Sequence, residues 1–298
     1  MIELHKYSGA GNDFVVLDGR KEDVSEFRTQ ERIAALCDRR TGFAAADGRI
    51  GADGLMILTD DPDYDFRMEY YNSDGSGGMM CGNGGRCIVA FADALGLKPA
   101  NGRVFRFAAA DGEHTGEILV RKGDCKTVRL RMIDVHEFRP ALDGWFLDTG
   151  TRHFVRFVPD VEAIDVEAEG RQARWDPLFA PIGANANFVS VDPDGTLRVR
   201  TFEKGVEAET LACGTGITAS AIAAYLTADA SQRAGGPSFA GQEKIARQIL
   251  GRPCSTTPAH ASASFNIQAR IARLSVDFVP GDNCFTDVYL TGPADEIR

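Results

Sequence analysis

The tetrapeptide Cys-Gly-x-Gly occurs twice, as Cys81-Gly82-Asn83-Gly84 and as Cys213-Gly214-Thr215-Gly216, and each copy opens an apolar run of helical character. The first run continues through Cys87, Ile88, Val89, Ala90, Phe91, Ala92 and Ala94 and is closed by Gly96. The second continues through Ile217, Ala219, Ala221, Ile222, Ala223, Ala224, Tyr225 and Leu226. Glycines at a helix start let the backbone approach a ligand and leave the first amide N–H groups without intrahelical partners. Those donors and the positive end of the helix dipole favour an anion such as a carboxylate. The same field lowers the pKa of a thiol, so Cys81 and Cys213 are candidate nucleophiles or bases. A chain that builds this device twice suggests two thiols acting as a pair across one cleft.

The halves share more than this device. Asn12-Asp13-Phe14-Val15-Val16-Leu17-Asp18 is similar to Ala186-Asn187-Phe188-Val189-Ser190-Val191-Asp192, and in both halves a strand and a polar loop precede Cys-Gly-x-Gly. A period this long indicates a duplicated domain, not a solenoid. Alternation and turn residues predict strands at 4–8 and 13–18 around Gly9-Ala10-Gly11-Asn12, a helix over 27–40, and strands at 55–58, 66–71, 104–109, 116–121 and 126–132. Beyond a boundary near 132–140 the same signals predict strands at 145–149, 153–158, 188–191 and 197–202, a hairpin over 265–279, and a last strand and stop at 288–293. The stretch 228–264, rich in Ala, Ser, Gly and Pro, reads as an insertion with a short helix at 243–250. The expected fold is α+β: two pseudo-symmetric α/β domains from an internal duplication, each with curved sheet around a central helix. Residues 1–133 are expected to form the first, with 292–298 returning to it, and 134–291 the second.

A chain of 298 residues is most simply two domains, and 44% hydrophobic with 26% charged residues is an ordinary globular composition. The net charge of -10 argues against nucleic acid or an anionic membrane as a main partner. No apolar run approaches the ~18 residues that span a bilayer, and Met1-Ile2-Glu3-Leu4-His5-Lys6 has no signal-peptide hydrophobic region. Seven cysteines is an odd count without a disulfide framework, so reduced thiols and a cytoplasmic location are expected. Cys37, Cys87, Cys125, Cys254 and Cys284 read as small buried hydrophobes. Cys81-x5-Cys87 lacks a second close Cys/His pair, so no metal is expected.

Gly9-Ala10-Gly11-Asn12-Asp13-Phe14, Gly51-Ala52-Asp53-Gly54-Leu55, Asn72-x-Asp74-Gly75-Ser76, Cys81-Gly82-Asn83-Gly84-x-Arg86-Cys87, Glu209-Thr210-x-Ala212-Cys213-Gly214-Thr215-Gly216 and Thr291-Gly292-Pro293 together resemble the diaminopimelate epimerases, in that family's order and across nearly the whole chain. The resemblance implies two pseudo-symmetric domains with the site between them, inversion of an α-amino-acid centre without a cofactor, and a homodimer. It implies that Cys81 and Cys213 are the acid/base pair. Asn12, Asn72 and Asn185 match side chains holding the substrate's remote amino-acid group. Gly82-Asn83 and Gly214-Thr215 match the helix starts that bind the α-carboxylate, and His153 and Glu203 match groups beside the α-amine and the thiols. Two motifs depart from the family: Gly150-Thr151-Arg152-His153 stands for Gly-Asn/Ser-Pro-His, and Glu203-Lys204-Gly205 for Glu-Arg-Gly. Lys204 keeps the charge that would hold a remote carboxylate but not the planar fork of Arg.

Inverting an α-carbon means removing its proton from one face and supplying one to the other. Two bases on opposite faces, one thiolate and one thiol, avoid having one base release, move and reload. A thiol with pKa near working pH suits both tasks. Two helix N-termini aimed at the carboxylate in a closed cleft are the electrostatic device available to stabilise the carbanionic transition state. Other classes remain: a dithiol redox protein, opposed by the absence of Cys-x-x-Cys; an amino-acid binding module, which leaves two activated thiols unexplained; and a racemase of the same fold for another amino acid. By themselves Asn12, Asn72 and Asn185 also suit turn positions, and His153 and Lys204 suit structural roles.

Overall fold

The computed structural model describes residues 2–78, 81–232, 242–250 and 262–298. It divides into two compact units, Met1–Arg131 with Thr291–Arg298, and Met132–Leu290.

In the first unit the elements run β1 (His5–Gly9), β2 (Asn12–Asp18), α1 (Gln30–Cys37), β3 (Gly54–Thr59), β4 (Phe66–Asn72), α2 (Gly82–Ala94), β5 (Val104–Ala109), β6 (Gly112–Lys122) and β7 (Cys125–Arg131). The predicted 27–40 helix is shorter than expected: a 3-10 turn at Ser25–Arg28 breaks before Thr29, whose side chain accepts from the Arg32 N–H and starts α1 anew. The strands pair in sequence order. The ring closes because the C-terminal strand pairs with both β7 and β1. β2–β3 and β4–β5 are parallel, the other consecutive pairs antiparallel. Every residue of α2 from Gly82 to Ala92 is buried, as expected for a helix enclosed by sheet. Successive side chains of a strand alternate faces. Val15, Leu17, Leu55 and Ile57 join Ile33 and Leu36 of α1 in one cluster. Phe14, Val16 and Met56 therefore point the other way, and β2 and β3 read as continuous apolar runs because both their faces are covered.

In the second unit the elements run β8 (Glu137–Ala141), β9 (Gly144–Asp148), β10 (Arg152–Phe157), α3 (Val166–Arg174), β11 (Asn185–Val191), β12 (Leu197–Glu203), β13 (Ala208–Thr210), α4 (Gly214–Gln232), α5 (Gln242–Leu250), β14 (Ala263–Gln268), β15 (Arg273–Pro280) and β16 (Phe285–Glu296). Their sheet order is β8-β9-β10-β11-β12-β14-β15-β16, with β10–β11 and β12–β14 parallel. A bridge from Val135 to Phe285 joins its ends. Phe146, Phe154, Phe188 and Phe202 form a core with Val166 and Ala173 of α3. The intervening side chains His153, Asn187 and Thr201 are buried polar groups on the opposite face, where α4 packs.

The duplication is expressed in topology, with a register the sequence similarity misplaces. β2 has a following parallel neighbour, β3, and an antiparallel preceding one, β1; in the second unit those properties belong to β10, not β11. β2 thus corresponds to β10, β3 to β11, β4 to β12 and α2 to α4, so Asn12–Asp18 and the Asn187 strand are not equivalent. The last strand does not stop at Pro293 either. It passes from the second unit into the first and continues to Glu296, with Pro293 opposite Thr127. Of the expected insertion, residues up to Gln232 extend α4, α5 is the predicted short helix and β14 begins at Ala263; the remainder, including Cys254, lies outside the described residues.

Candidate active site

Cys81 is the N-cap of α2. Its backbone is extended (φ -113°, ψ 149°), its carbonyl accepts from the Gly85 N–H at 2.8 Å, and its sulfur accepts from the Gly84 N–H at 3.2 Å. The first N–H groups of the helix, Gly82 and Asn83 among them, have no carbonyl four residues back within α2 to bind. The Asn83 side chain sits in a directed chain of hydrogen bonds. Arg86 Nη2 donates to Asn83 Oδ1 (2.8 Å), Asn83 Nδ2 to Asn12 Oδ1 (2.6 Å), and Asn12 Nδ2 to Asp53 Oδ2 (3.0 Å). Asp53 and Asp13 are both paired with Arg39, and Asp13 also with buried Lys6.

Arg86 is fully buried, and its other donors reach Gly82 O (3.1 Å) and Pro293 O (3.3 Å). Burial lowers its guanidinium to about 10, while Cys87 and Cys81 act in the opposite sense. It remains a cation at neutral pH, placed inside the first turns of the helix that Cys81 caps. The sequence motif assigns Arg86 no role; its signal is a charge inside the buried run Gly82–Ala92.

In the second unit the Cys213 carbonyl accepts from the Ile217 N–H at 2.8 Å, so Cys213 opens α4 as Cys81 opens α2. Cys213 is 9% exposed and its Sγ lies 3.3 Å from Thr215 Oγ1. Thr215 Oγ1 is 2.9 Å from His153 Nε2 and 3.1 Å from Thr151 Oγ1, and His153 Nε2 is 2.9 Å from Thr151 Oγ1. By the topological register, Thr151 stands where Asn12 stands in the first unit, and Thr215 where Asn83 stands. The Asn12–Asn83 contact is thus repeated as Thr151–Thr215, with hydroxyls in place of amides. His153 is completely buried, and desolvation, with Lys204 nearby, lowers it to about 3. It is a neutral imidazole.

Asn185 begins β11, with Oδ1 accepting from the Lys204 N–H (2.7 Å) and Nδ2 donating to Arg152 O (3.2 Å). Lys204 is half-buried just beyond β12, and its ammonium makes no ion pair among the described residues. Glu203 ends β12, opposite Ala208 of β13. Asn72 ends β4 in a turn: its N–H and Nδ2 bind Ser76 O (2.9 Å) and Ser76 Oγ (3.0 Å). The structure therefore brings Asn12 together with Asn83, and His153, Thr151 and Asn185 with Thr215 and Cys213. Asn72 stands in its own turn, the arrangement expected of a turn asparagine.

The remaining thiols divide by environment. Cys37 and Cys87 are buried, and burial raises both, Cys37 to about 11. Such thiols are inert at neutral pH. Cys284 is half-buried, and Cys125 is exposed, contrary to the buried reading, because it begins β7 beside Asp295. Among the described residues no three His, Cys, Asp or Glu side chains converge as metal ligands, and no helix is long and apolar enough to cross a membrane.

A family model described as diaminopimelate epimerase matches residues 4–119 and 145–248. The chain belongs to the diaminopimelate epimerase family. The diaminopimelate epimerase of Flavobacterium psychrophilum is 36% identical over 99% of this chain and 98% of its own length, and that of Chlorobaculum tepidum is 42% identical over 73% and 81%. Two solved structures share the fold at low identity. A phenazine biosynthesis protein of the PhzF family from Bacillus anthracis has a TM-score of 0.66 at 13% identity, covering 100% of this chain and 97% of that one. A hydroxyproline epimerase from Agrobacterium vitis has a TM-score of 0.56 at 16% identity, covering 98% and 88%.

Proposed function

We propose that this chain is a cofactor-independent, two-base epimerase that interconverts LL- and meso-2,6-diaminopimelate, an isomerase step of amino-acid biosynthesis that supplies lysine and peptidoglycan precursors. The observation that carries the reading is the repeated helix start. Cys81 and Cys213 each place a sulfur at a helix N-terminus, where N–H donors and the dipole favour both a thiolate and a substrate carboxylate. In each direction one sulfur, as thiolate, takes the α-proton and becomes a thiol. The other, initially a thiol, gives its proton to the opposite face and becomes a thiolate. Charge and protons balance, and the enzyme is left ready for the reverse reaction.

The N–H groups of Gly82, Asn83, Gly214 and Thr215 hold the α-carboxylate as negative charge builds on the carbon, which strengthens the interaction in the transition state. Asn12, Asn72, Asn185 and Lys204 serve the remote amino-acid group, and the ammonium of Lys204, without an ion pair among the described residues, supplies the charge for its carboxylate. His153, neutral in the fold, and Glu203 are assigned to the α-amine side by the family resemblance, His153 acting through Thr151 and Thr215. The working form is a homodimer in the cytoplasm.

The test is epimerisation of LL-diaminopimelate by purified protein without added pyridoxal phosphate. Conversion by the wild type, abolished in Cys81→Ala and in Cys213→Ala, is the expected result. Turnover of another amino acid with none of diaminopimelate would move the assignment to a racemase of the same fold. Light scattering of the purified protein tests the dimer.

A further inference from the structure

The cluster behind Thr215 has a direction, and the chemistry of its buried partners fixes it. Asn187 is wholly buried on β11 and touches three groups: Phe154 O at 3.0 Å, His153 Nδ1 at 3.0 Å and Thr201 Oγ1 at 2.9 Å. A carbonyl can only accept, so the amide atom facing Phe154 O is Nδ2, and the same NH2 group faces His153 Nδ1. Thr201 donates to the remaining atom, Oδ1. Nδ1 of a neutral imidazole that accepts from an amide carries no proton, so the proton is on Nε2.

From Nε2–H two routes lead on. It donates directly to Thr215 Oγ1, or to Thr151 Oγ1, whose hydroxyl then donates to Thr215 Oγ1. Asn185 Nδ2 lies 3.4 Å from both Thr151 Oγ1 and His153 Nε2, but its two hydrogens go to Arg152 O and Thr151 Oγ1, which makes it a further donor into the hydroxyl pair and leaves the shorter 3.0 Å contact at Nδ1 to set the tautomer. By either route the Thr215 oxygen is an acceptor on the imidazole side, and its own hydrogen is left for Cys213 Sγ at 3.3 Å. The second glycine of the motif is part of the fit. A Cβ on Gly216 would overlap Asn187 Oδ1 and lie 3.2 Å from His153 Cε1, so α4 rests directly on this pair.

We propose that Asn187 is a positioning residue that locks His153 as its Nε2–H tautomer and thereby turns the Thr215 hydroxyl toward Cys213, holding that sulfur as a thiolate. A hydroxyl donating to a thiolate stabilises it without taking a proton from the substrate or giving one up. The relay therefore biases which charge state Cys213 takes at rest and leaves the proton inventory of the reaction unchanged. Its members other than His153 and Cys213 are neutral amides and hydroxyls, and within this unit the charged group acting on His153 is Lys204. The proposal rests on the reading of Cys213 as a base, but its test involves no turnover and stands apart from the substrate assignment.

The experiment is NMR titration of full-length protein carrying 15N-histidine and [3-13C]cysteine. His153 is assigned by its loss in His153→Gln and the Cys213 Cβ by its loss in Cys213→Ser. Wild type should show His153 protonated on Nε2 throughout the neutral range. The Cys213 ionisation midpoint should rise by about one pH unit in Thr215→Val and in Asn187→Leu, and return to the wild-type value in Thr215→Ser. The Nδ1–H tautomer in the wild type overturns the proposal even if no Asn187 variant folds. So does an unmoved midpoint in Thr215→Val, or one that moves in Thr215→Val but not in a folded Asn187→Leu.

Discussion

Gly84 and Gly216 hold the same place in two copies of one motif, yet their surroundings predict unequal tolerance of a side chain. A methyl on Gly216 would overlap Asn187 Oδ1 and meet His153 Nδ1 at 3.3 Å, among completely buried residues. Overpacking of this kind costs about 1–3 kcal/mol. Displacing the amide also leaves an oxygen that Thr201 now satisfies without its donor, a further ~1–3 kcal/mol. The gain from replacing a helical glycine by alanine is at most about 1 kcal/mol. Gly216→Ala should therefore destabilise the second unit by roughly 3 kcal/mol. At Gly84 the nearest atoms are Cys81 Sγ at 3.3 Å, Met56 Sδ at 3.4 Å and Met68 Cε at 3.4 Å. Methionine side chains adjust readily, and the propensity gain offsets the crowding, so Gly84→Ala should lie within about 1 kcal/mol of wild type. Urea unfolding followed by far-UV circular dichroism gives both values, with hydrogen exchange of α2 and α4 amides reporting on each unit by itself. Trp145, bonded to Thr227 of α4, adds a fluorescence probe of the second unit. Equal costs at the two glycines, or a neutral Gly216→Ala, would refute the packing argument.

Lys204→Met should raise KM for diaminopimelate, because a charge-assisted hydrogen bond of about 1.5–3 kcal/mol corresponds to roughly ten- to a hundred-fold in kcat/KM. Lys204→Arg should retain or improve it, and steady-state kinetics on meso-diaminopimelate measures both. His153 titrates at about 3 in the fold against 6.5 unperturbed, so between those values the unfolded chain binds more protons. Its contribution to stability is complete above 6.5 and is lost as pH falls toward 3, with a slope of up to about 1.4 kcal/mol per pH unit. His153→Gln should flatten the acid limb of the unfolding free energy measured by urea titration at several pH values; an unchanged slope would mean that His153 is not held neutral.

The two helix starts were legible because glycine, cysteine and the apolar run that follows act locally. The register of the duplication was not. Strands covered on both faces, such as β2 and β11, carry the same Phe-Val-rich run whatever their place in the sheet, so similarity between Asn12–Asp18 and the Asn187 strand reflects shared burial, not equivalence. The buried stripe of α3 is made of small residues, Val166, Gly170 and Ala173, and at Gly170 a Cβ would overlap Phe202, so the stripe is faint in the sequence. Asp165 at its N-cap, early Glu167 and Glu169, and late Arg171 and Arg174 define it instead. Within the site, the roles of Arg86 and Asn187 depend on partners distant in sequence, Pro293 for one and His153 and Thr201 for the other, which no local pattern reveals.

The central claim is that two thiols exchange the α-proton of one amino acid. It is tested most directly by following LL-diaminopimelate in heavy water to early conversion. The account predicts that each meso product molecule carries solvent deuterium at the inverted α-carbon, while unreacted LL substrate stays largely undeuterated, because the base that takes the proton is not the one that returns it. Product that retains the original hydrogen, or full inversion at wild-type rate in Cys81→Ala or Cys213→Ala, would contradict it.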